Sequence, residues 1–220
     1  MQKEYVIITA GGTGTRMDSE TPKQFMELND RPVIMHSIKA FAEYSSNIKL
    51  VVVLPSGHMD EWNSILAKHP IPIDYEVGSG GETRFQSVKN GLRLIEGDGL
   101  VAVHDAVRPL ASVQLIRRCF QGAAQKGNAI PVIPLTDSAR EITGEESRPV
   151  DREKYSLVQT PQVFDLSLIQ KAYNQAFRTS FTDDASVVEA FGSKIFLMEG
   201  EKKNIKITTA EDMVIAQALL

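Results

Sequence analysis

Val6-Ile7-Ile8-Thr9-Ala10 runs directly into Gly11-Gly12-Thr13-Gly14-Thr15-Arg16-Met17, and Pro22-Lys23-Gln24 follows a few residues on. A short apolar run that ends in glycines is the pattern of a buried strand feeding a tight loop. Glycines let backbone N–H groups turn inward and approach an anion, while Arg16 and Lys23 bring fixed positive charge to the same place. This reads as a phosphate cradle at the end of the first strand. Taken alone, the glycines fit equally well a tight strand-to-helix turn with surface charges. Two better-known glycine loops are excluded. A Walker loop needs four residues between its first glycine and Gly-Lys-Ser/Thr, and that spacing is absent. The dinucleotide fingerprint fails because Met17 stands where the third glycine belongs.

Outward from this stretch, apolar runs alternate with amphipathic segments, the mark of parallel strands joined by helices. Strands are expected at Tyr5 to Ala10, Lys49 to Leu54, Ile73 to Val77, Leu100 to His104 and Ala129 to Pro134. Ile34, Ile38, Phe41 and Ala42 form one helical stripe, and Phe85, Val88, Leu92 and Ile95 form another. The expected fold is α/β: a Rossmann-like three-layer sandwich with a twisted, mostly parallel sheet, in one domain over residues 1 to 220. The stretch from about Thr136 to Gln159 breaks the rhythm. It is polar and charged, with Thr143-Gly144-Glu145-Glu146 as a turn between two β-compatible runs, and reads as a protruding β-arm. Short strands are expected again at Lys194 to Met198 and Asn204 to Ile207. A last helix then starts at Thr209, with Asp212 three residues on as in a capping box.

The composition fits a compact enzyme. The 220 residues suffice for one substantial core. Apolar runs fall far short of the roughly 20 residues of a membrane span, and Met1-Gln2-Lys3-Glu4 leads into a strand with no signal-peptide pattern, so a cytoplasmic location and no membrane partner are expected. A formal charge of −4 without a basic tract argues against nucleic-acid binding. The single cysteine, Cys119, falls on an apolar helix face with Leu115, Ile116 and Phe120 and reads as a core thiol. The four histidines, His36, His58, His69 and His104, show no metal-ligand or nucleophile-histidine spacing.

Asp105 follows Val101-Ala102-Val103-His104 and so falls at the carboxyl end of a strand, where open parallel sheets place their ligands. A carboxylate there can hold a magnesium ion bridging nucleotide phosphates. It can equally cap the next turn or pair with Arg108. Gly78-Ser79-Gly80-Gly81-Glu82-Thr83-Arg84 links a strand to a helix, with Glu82 placed to complement the helix dipole and Arg84 to support a pocket or close a salt bridge. Lys206 sits in an alternating run, where an exposed lysine is the ordinary explanation. His104 is set aside as a catalytic base, because a histidine beside a strand-end aspartate more commonly orients or packs.

Ala10-Gly11-Gly12-x-Gly14-x-Arg16-Met17 with Pro22-Lys23-Gln24 resembles the signature of nucleotidyltransferases that activate sugar or polyol phosphates. Pro22-Lys23-Gln24-Phe25, His104-Asp105-Ala106-Val107-Arg108-Pro109, Gln159-Thr160-Pro161-Gln162, Thr182-Asp183-Asp184-Ala185 and Asn204-Ile205-Lys206-Ile207-Thr208 together resemble the 2-C-methyl-D-erythritol 4-phosphate cytidylyltransferase family, in its order and over nearly the whole chain. The resemblance implies CTP and a polyol phosphate as substrates, Mg2+ or another divalent cation, and a homodimer whose arm crosses to the second subunit. It implies that Arg16, Lys23 and Lys206 act on the phosphates, with Lys206 at the α-phosphate, and that Asp105 holds the metal. Nucleotide contacts fall on Thr9, Ala10, Gly11, Gly12, Thr13 and Gly14, and on Gly81, Glu82 and Ser87, which would read the cytosine edge. Acceptor contacts fall on Ser138, Arg140, Arg152 and Thr160, with Arg152 supplied by the opposite subunit. Ser138 replaces the family's usual threonine and Arg140 a common lysine, so hydroxyl and charge are kept.

The implied reaction joins CTP and 2-C-methyl-D-erythritol 4-phosphate, releases pyrophosphate and belongs to isoprenoid precursor synthesis. D-ribitol 5-phosphate is the alternative acceptor. A non-catalytic nucleotide-binding protein on the same fold is the more remote alternative, disfavoured by charge on both sides of the α-phosphate.

Overall fold

A computed structural model describes residues 2–10 and 21–220. Gly11, Gly12, Thr13, Gly14 and Arg16 lie outside the described residues. The strands are β1 (Glu4–Thr9), β2 (Glu27–Leu28), β3 (Arg31–Pro32), β4 (Lys49–Leu54), β5 (Tyr75–Ser79), β6 (Leu100–Asp105), β7 (Asn128–Pro134), β8 (Arg140–Thr143), β9 (Glu146–Pro149), β10 (Ser156–Val158), β11 (Gln162–Asp165) and β12 (Leu197–Glu199). The helices are α1 (Val33–Tyr44), α2 (Met59–Lys68), α3 (Arg84–Leu92), α4 (Val113–Lys126), α5 (Leu166–Ala172), α6 (Asp184–Ala190) and α7 (Ala210–Leu219).

The main sheet runs β10-β7-β11-β6-β1-β4-β5, with β12 also paired to β7. β6, β1, β4 and β5 are mutually parallel, whereas β10 and β11 are antiparallel insertions. Strands buried on both faces explain the unbroken apolar runs. Val6 and Ile8 enter one core with Ile34, Trp62 and Phe120 from α1, α2 and α4. Tyr5 and Ile7 enter the other with Phe85, Ile169 and Val187 from α3, α5 and α6. The result is the expected three-layer sandwich. A third cluster of Leu28, Val33, Leu110, Ile207 and Met213 seats α7, whose start is the expected capping box, Thr209 N–H donating to Asp212 Oδ2 at 2.8 Å. Cys119 is fully buried, and burial pushes its thiol up to about 12.

Three expectations are corrected. The strand read at Ile73 to Val77 runs instead over Tyr75–Ser79, because Ile73 packs into the core before the ladder begins. The strand read at Lys194 to Met198 is confined to Leu197–Glu199. Asn204 to Ile207 forms no strand. Its alternation arises because Ile207 and Ile205 pack on the third cluster, while the backbone is fastened by Ile207 N–H to Val107 O and by the Arg108 guanidinium on Asn204 O, at 2.9 and 2.8 Å. The break near Thr136 is a hairpin, with β8 and β9 turning at Gly144 (φ 61°), and its residues are exposed. The antiparallel β11 slipped between β7 and β6 was not anticipated.

Candidate active site

The chain order reverses beside β1. From it, β4 and β5 extend to one side and β6 lies on the other, which makes the carboxyl ends of β1 and β6 a topological switch point. Thr9 and Asp105 are register partners there. Thr9 Oγ1 donates to His104 O, and Ala106 N–H donates to Thr9 O at 3.1 Å. Ala10 is held on both sides, its N–H donating to Val53 O at 2.9 Å and its carbonyl accepting from Gln24 Nε2 at 2.7 Å. Gln24 thereby ties the Pro22-Lys23-Gln24 turn to the end of β1.

Asp105 is ringed by cations. Arg84 Nε donates to its Oδ1 at 3.2 Å, Lys206 Nζ donates to Oδ2 at 2.8 Å, and Arg108 Nε stands 3.9 Å from Oδ2. Burial by itself would raise the Asp105 pKa. The Arg84 charge, then Lys206 and Arg108, outweigh it and hold the carboxyl well below the usual carboxylate range. Asp105 thus pairs with Arg108, one of the two roles its position allowed, and it is an ionised carboxylate at the carboxyl end of β6. Arg84 resolves to a salt bridge, and a double one. Its Nη1 and Nη2 donate to Asp184 Oδ1 and Oδ2 at 3.0 and 2.7 Å. Asp184 is fully buried and also accepts from Tyr173 OH. Fork-on-carboxylate pairing is the geometry arginine supplies and lysine cannot.

His104 is buried and neutral, burial driving its pKa down to about 4. Its Nε2–H donates to Arg108 O at 3.2 Å, which leaves Nδ1 to accept from the Thr160 hydroxyl at 3.1 Å. The same hydroxyl accepts from Asp105 N–H at 3.1 Å. Thr160, expected at the acceptor phosphate, is nearly buried and has its one hydroxyl proton committed to His104. The structure thus places it beneath Asp105 as a brace.

This neutral histidine carries a pH dependence. Between about pH 4 and 6.5 the unfolded chain binds a proton at His104 that the folded chain refuses, so stability rises with pH across that window and is lost as pH falls through it. The full difference is about 3 kcal/mol. His36, also lowered by burial, acts in the same direction, so the diagnostic quantity is a difference in slope. His104→Asn is expected to lose less urea stability than the parent between pH 7 and pH 4.5, and equal losses would refute the assignment.

The Gly78 to Ser87 turn is braced from within. Gly80 N–H donates to Leu54 O at 2.7 Å, Gly81 N–H donates to Ser87 Oγ at 3.1 Å, and Ser87 Oγ donates to Thr83 O at 3.0 Å. A Cβ on Gly81 would fall 2.2 Å from Gln86 Cγ, so this position requires glycine. Ser87 is buried and Glu82 exposed on the rim. Ser138, Arg140 and Arg152 stand on the exposed arm. Arg140 donates to Ser147 across the hairpin, and Arg152 Nη1 donates to Thr136 O at 2.6 Å, closing the arm's base. Within this chain they are not among the groups gathered around Asp105.

Several positioning groups escaped the sequence reading. Gln159 Nε2 donates to Glu201 O at 2.8 Å, and Asn204 Nδ2 donates to Thr160 O at 2.8 Å, which fastens the strap carrying Lys206 to the Gln159-Thr160-Pro161 segment. Gln162 takes Ala185 N–H on Oε1 and gives Nε2 to Asp183 Oδ2, fixing the start of α6. Tyr173 carried no sequence signal. Gln159, Gln162 and Asp184 lay inside the quoted motifs without an assigned role.

An ionised carboxylate among convergent cations at the switch point of a parallel sheet is an arrangement suited to a nucleotide's phosphates, and the relatives of this chain are nucleotidyltransferases. Residues 5–220 match the family model described as IspD: 2-C-methyl-D-erythritol 4-phosphate cytidylyltransferase, and the chain belongs to that family. It is 48% identical over 218 residues to the 2-C-methyl-D-erythritol 4-phosphate cytidylyltransferase of Bacteroides thetaiotaomicron, covering 99% of this chain and all of the relative. Among solved structures it is similar to the corresponding enzyme of Thermus thermophilus, with TM-score 0.80, 33% identity and coverage of 100% and 98% of the two chains. It also resembles the 4-diphosphocytidyl-2C-methyl-D-erythritol synthase of Anaerococcus prevotii, with TM-score 0.83, 28% identity and coverage of 99% and 98%. No helix among the described residues is long and apolar enough to cross a membrane.

Proposed function

We propose that this chain joins CTP and 2-C-methyl-D-erythritol 4-phosphate to give 4-diphosphocytidyl-2-C-methyl-D-erythritol and pyrophosphate, a step of isoprenoid precursor synthesis. The observation that carries the reading is the meeting of Lys206, Arg84 and Arg108 on Asp105 at the carboxyl end of β6, with the Pro22-Lys23-Gln24 turn tied to the neighbouring end of β1. An oxygen of the acceptor's phosphate attacks the α-phosphorus of CTP, the bond from that phosphorus to the bridging oxygen breaks, and pyrophosphate leaves on the opposite side. The attacking oxygen is already anionic, so no side chain has to remove a proton. The neutral His104, with its Nε2 proton on a backbone carbonyl, suits a site that needs no base. The barrier is the approach of two polyanions and the charge growing on the α-phosphate, which prearranged cations lower. Lys206 is assigned to the α-phosphate, and Lys23 with Arg16 to the outer phosphates and the leaving pyrophosphate.

Asp105 would hold the divalent cation. Mg2+ prefers one or two carboxylates with phosphate oxygens and water completing its shell, and among the described residues no cluster of three or more His, Cys, Asp or Glu offers an all-protein cage. One ionised carboxylate, 10% exposed at the site, fits that demand. When bound, the ion neutralises charge on the triphosphate. Thr9, Ala10, Gly81 and Glu82 are assigned to the walls of the base pocket, and Ser87 braces its turn. Thr160 is assigned to holding Asp105 in place. Ser138, Arg140 and Arg152 are assigned to the acceptor through the arm of a second copy. Supporting this are the exposure of β8 and β9 and the apolar groups left on the arm's surface, Ile142 at 75% and Leu157 at 51%.

Pyrophosphate release with CTP and Mg2+ tests the function, with 2-C-methyl-D-erythritol 4-phosphate and D-ribitol 5-phosphate compared in parallel. Preference for the branched acceptor is expected. Preference for ribitol phosphate, or no release with either despite CTP binding, overturns the acceptor. Arg152→Ala is expected to raise the acceptor KM by about tenfold with the CTP KM little changed, since it removes one charge-assisted phosphate contact. Equal effects on both would count against the arm.

A further inference from the structure

The two oxygens of Asp105 are held differently. Oδ2 is taken by Lys206, whose side chain is 44% exposed and projects from a strap of irregular backbone. Oδ1 is taken by Arg84, whose side chain is 29% exposed and whose two remaining nitrogens are forked onto the fully buried Asp184. Asp184 is in turn fixed by Tyr173 OH and by its place in the first turn of α6, where Gln162 grips Asp183 and Ala185 N–H. The stacked Phe85 and Tyr173 rings, 4.7 Å between centroids, add a packed wall beside this chain of groups. Arg84 is also the first residue of α3, directly after the Gly81-Glu82-Thr83 turn. One guanidinium thus joins the turn assigned to the base, the carboxylate assigned to the phosphate end, and the Asp183–Asp184 start of α6.

We propose that Arg84, anchored by Asp184 and Tyr173, is a positioning residue for nucleotidyl transfer. It pins Oδ1 of Asp105 and holds the carboxylate at a fixed distance from the base turn. Oδ2 is left as the exchangeable oxygen, occupied by Lys206 until the nucleotide and its cation arrive. The assignment rests on the functional reading above and explains how Lys206 and Asp105 serve the same triphosphate although they are paired to each other here. Lys206 is the displaceable partner because it is the exposed one. Arg84 is the permanent one because the fork of its Nη1 and Nη2 on the buried Asp184 holds the guanidinium, and with it Nε, in place beside Asp105.

Arg84→Lys keeps a positive charge but cannot span both carboxylates. It is expected to lower kcat by about tenfold or more with the acceptor KM nearly unchanged, and to weaken CTP binding in the presence of Mg2+ and the absence of acceptor by about fivefold in calorimetry. A folded Arg84→Lys variant with parental kcat and parental CTP affinity overturns the proposal, even if its urea midpoint has fallen, because a purely structural role moves only the midpoint. Tyr173→Phe covers the case in which Arg84→Lys does not fold. It removes one hydrogen bond from Asp184 at nearly constant volume and is expected to lower kcat by about threefold with the acceptor KM held, an unchanged kcat overturning the proposal. If the parent enzyme turns over neither acceptor, the functional reading fails, and the calorimetric arm still decides whether Arg84 shapes the nucleotide site.

Discussion

Lys23→Ala is expected to fold as the parent does and to turn over about a hundredfold more slowly, or worse, at saturating CTP. Lys23 lies in a turn that is secured by other groups. Gln24 Nε2 donates to Ala10 O at 2.7 Å, Ile34 N–H donates to Gln24 O at 2.9 Å, and Phe25 is buried. Removing the lysine leaves those anchors in place, so circular dichroism and the urea midpoint should change little. On the proposed reading, the substitution removes positive charge that faces the phosphates as negative charge moves toward the leaving pyrophosphate. A contact of that kind in a preorganised site is worth about 3 kcal/mol, and each 1.36 kcal/mol is about tenfold in rate. The loss should therefore appear in kcat more than in the CTP KM, since a contact that strengthens only in the transition state leaves ground-state binding alone. Parental turnover at saturating CTP would remove Lys23 from the catalytic set.

Arg84→Leu is expected to destabilise the protein by about 3 to 5 kcal/mol, the cost of leaving a buried charge without its partner. Asp184 has no solvent exposure and, of the side chains seen to donate to its carboxylate, would keep only the Tyr173 hydroxyl. Asp105 suffers less, because it retains Lys206 and Arg108. The explanation is checked by the double variant Arg84→Leu with Asp184→Leu. Replacing both members of a buried ion pair by apolar groups is close to neutral, so more than half of the lost urea stability should return. A double variant less stable than Arg84→Leu alone would show that the single loss came from packing and not from the stranded carboxylate.

Much of this protein was legible because two kinds of signal are local. The run Val6 to Ala10 read as a strand since β1 is buried on both faces, and its apolar content needs no knowledge of what covers it. The stripe Ile34, Ile38 and Phe41 read as a helix, and Thr209 with Asp212 read as a cap, for the same reason: each pattern closes within one or two turns of chain. Asp105 could be placed at a strand end from its neighbours alone. Asn204 to Ile207 misled because alternation records burial and not pairing.

The amino-acid sequence by itself therefore determined the layered α/β plan, the arm and the positions of the charges. Which charge meets which was decided by tertiary structure. Arg84 reaches Asp184 across 100 positions of sequence and Lys206 reaches Asp105 across 101. No local propensity links such residues. They meet because β1 and β6 align Thr9 with Asp105, and because β11 and the start of α6 return the chain to that edge of the sheet. The same return carries Thr160 under Asp105, where its proton goes to His104. Hydrogen-bond partners separated by half the chain depend on how the layers close, and that closure is a property of the packed molecule.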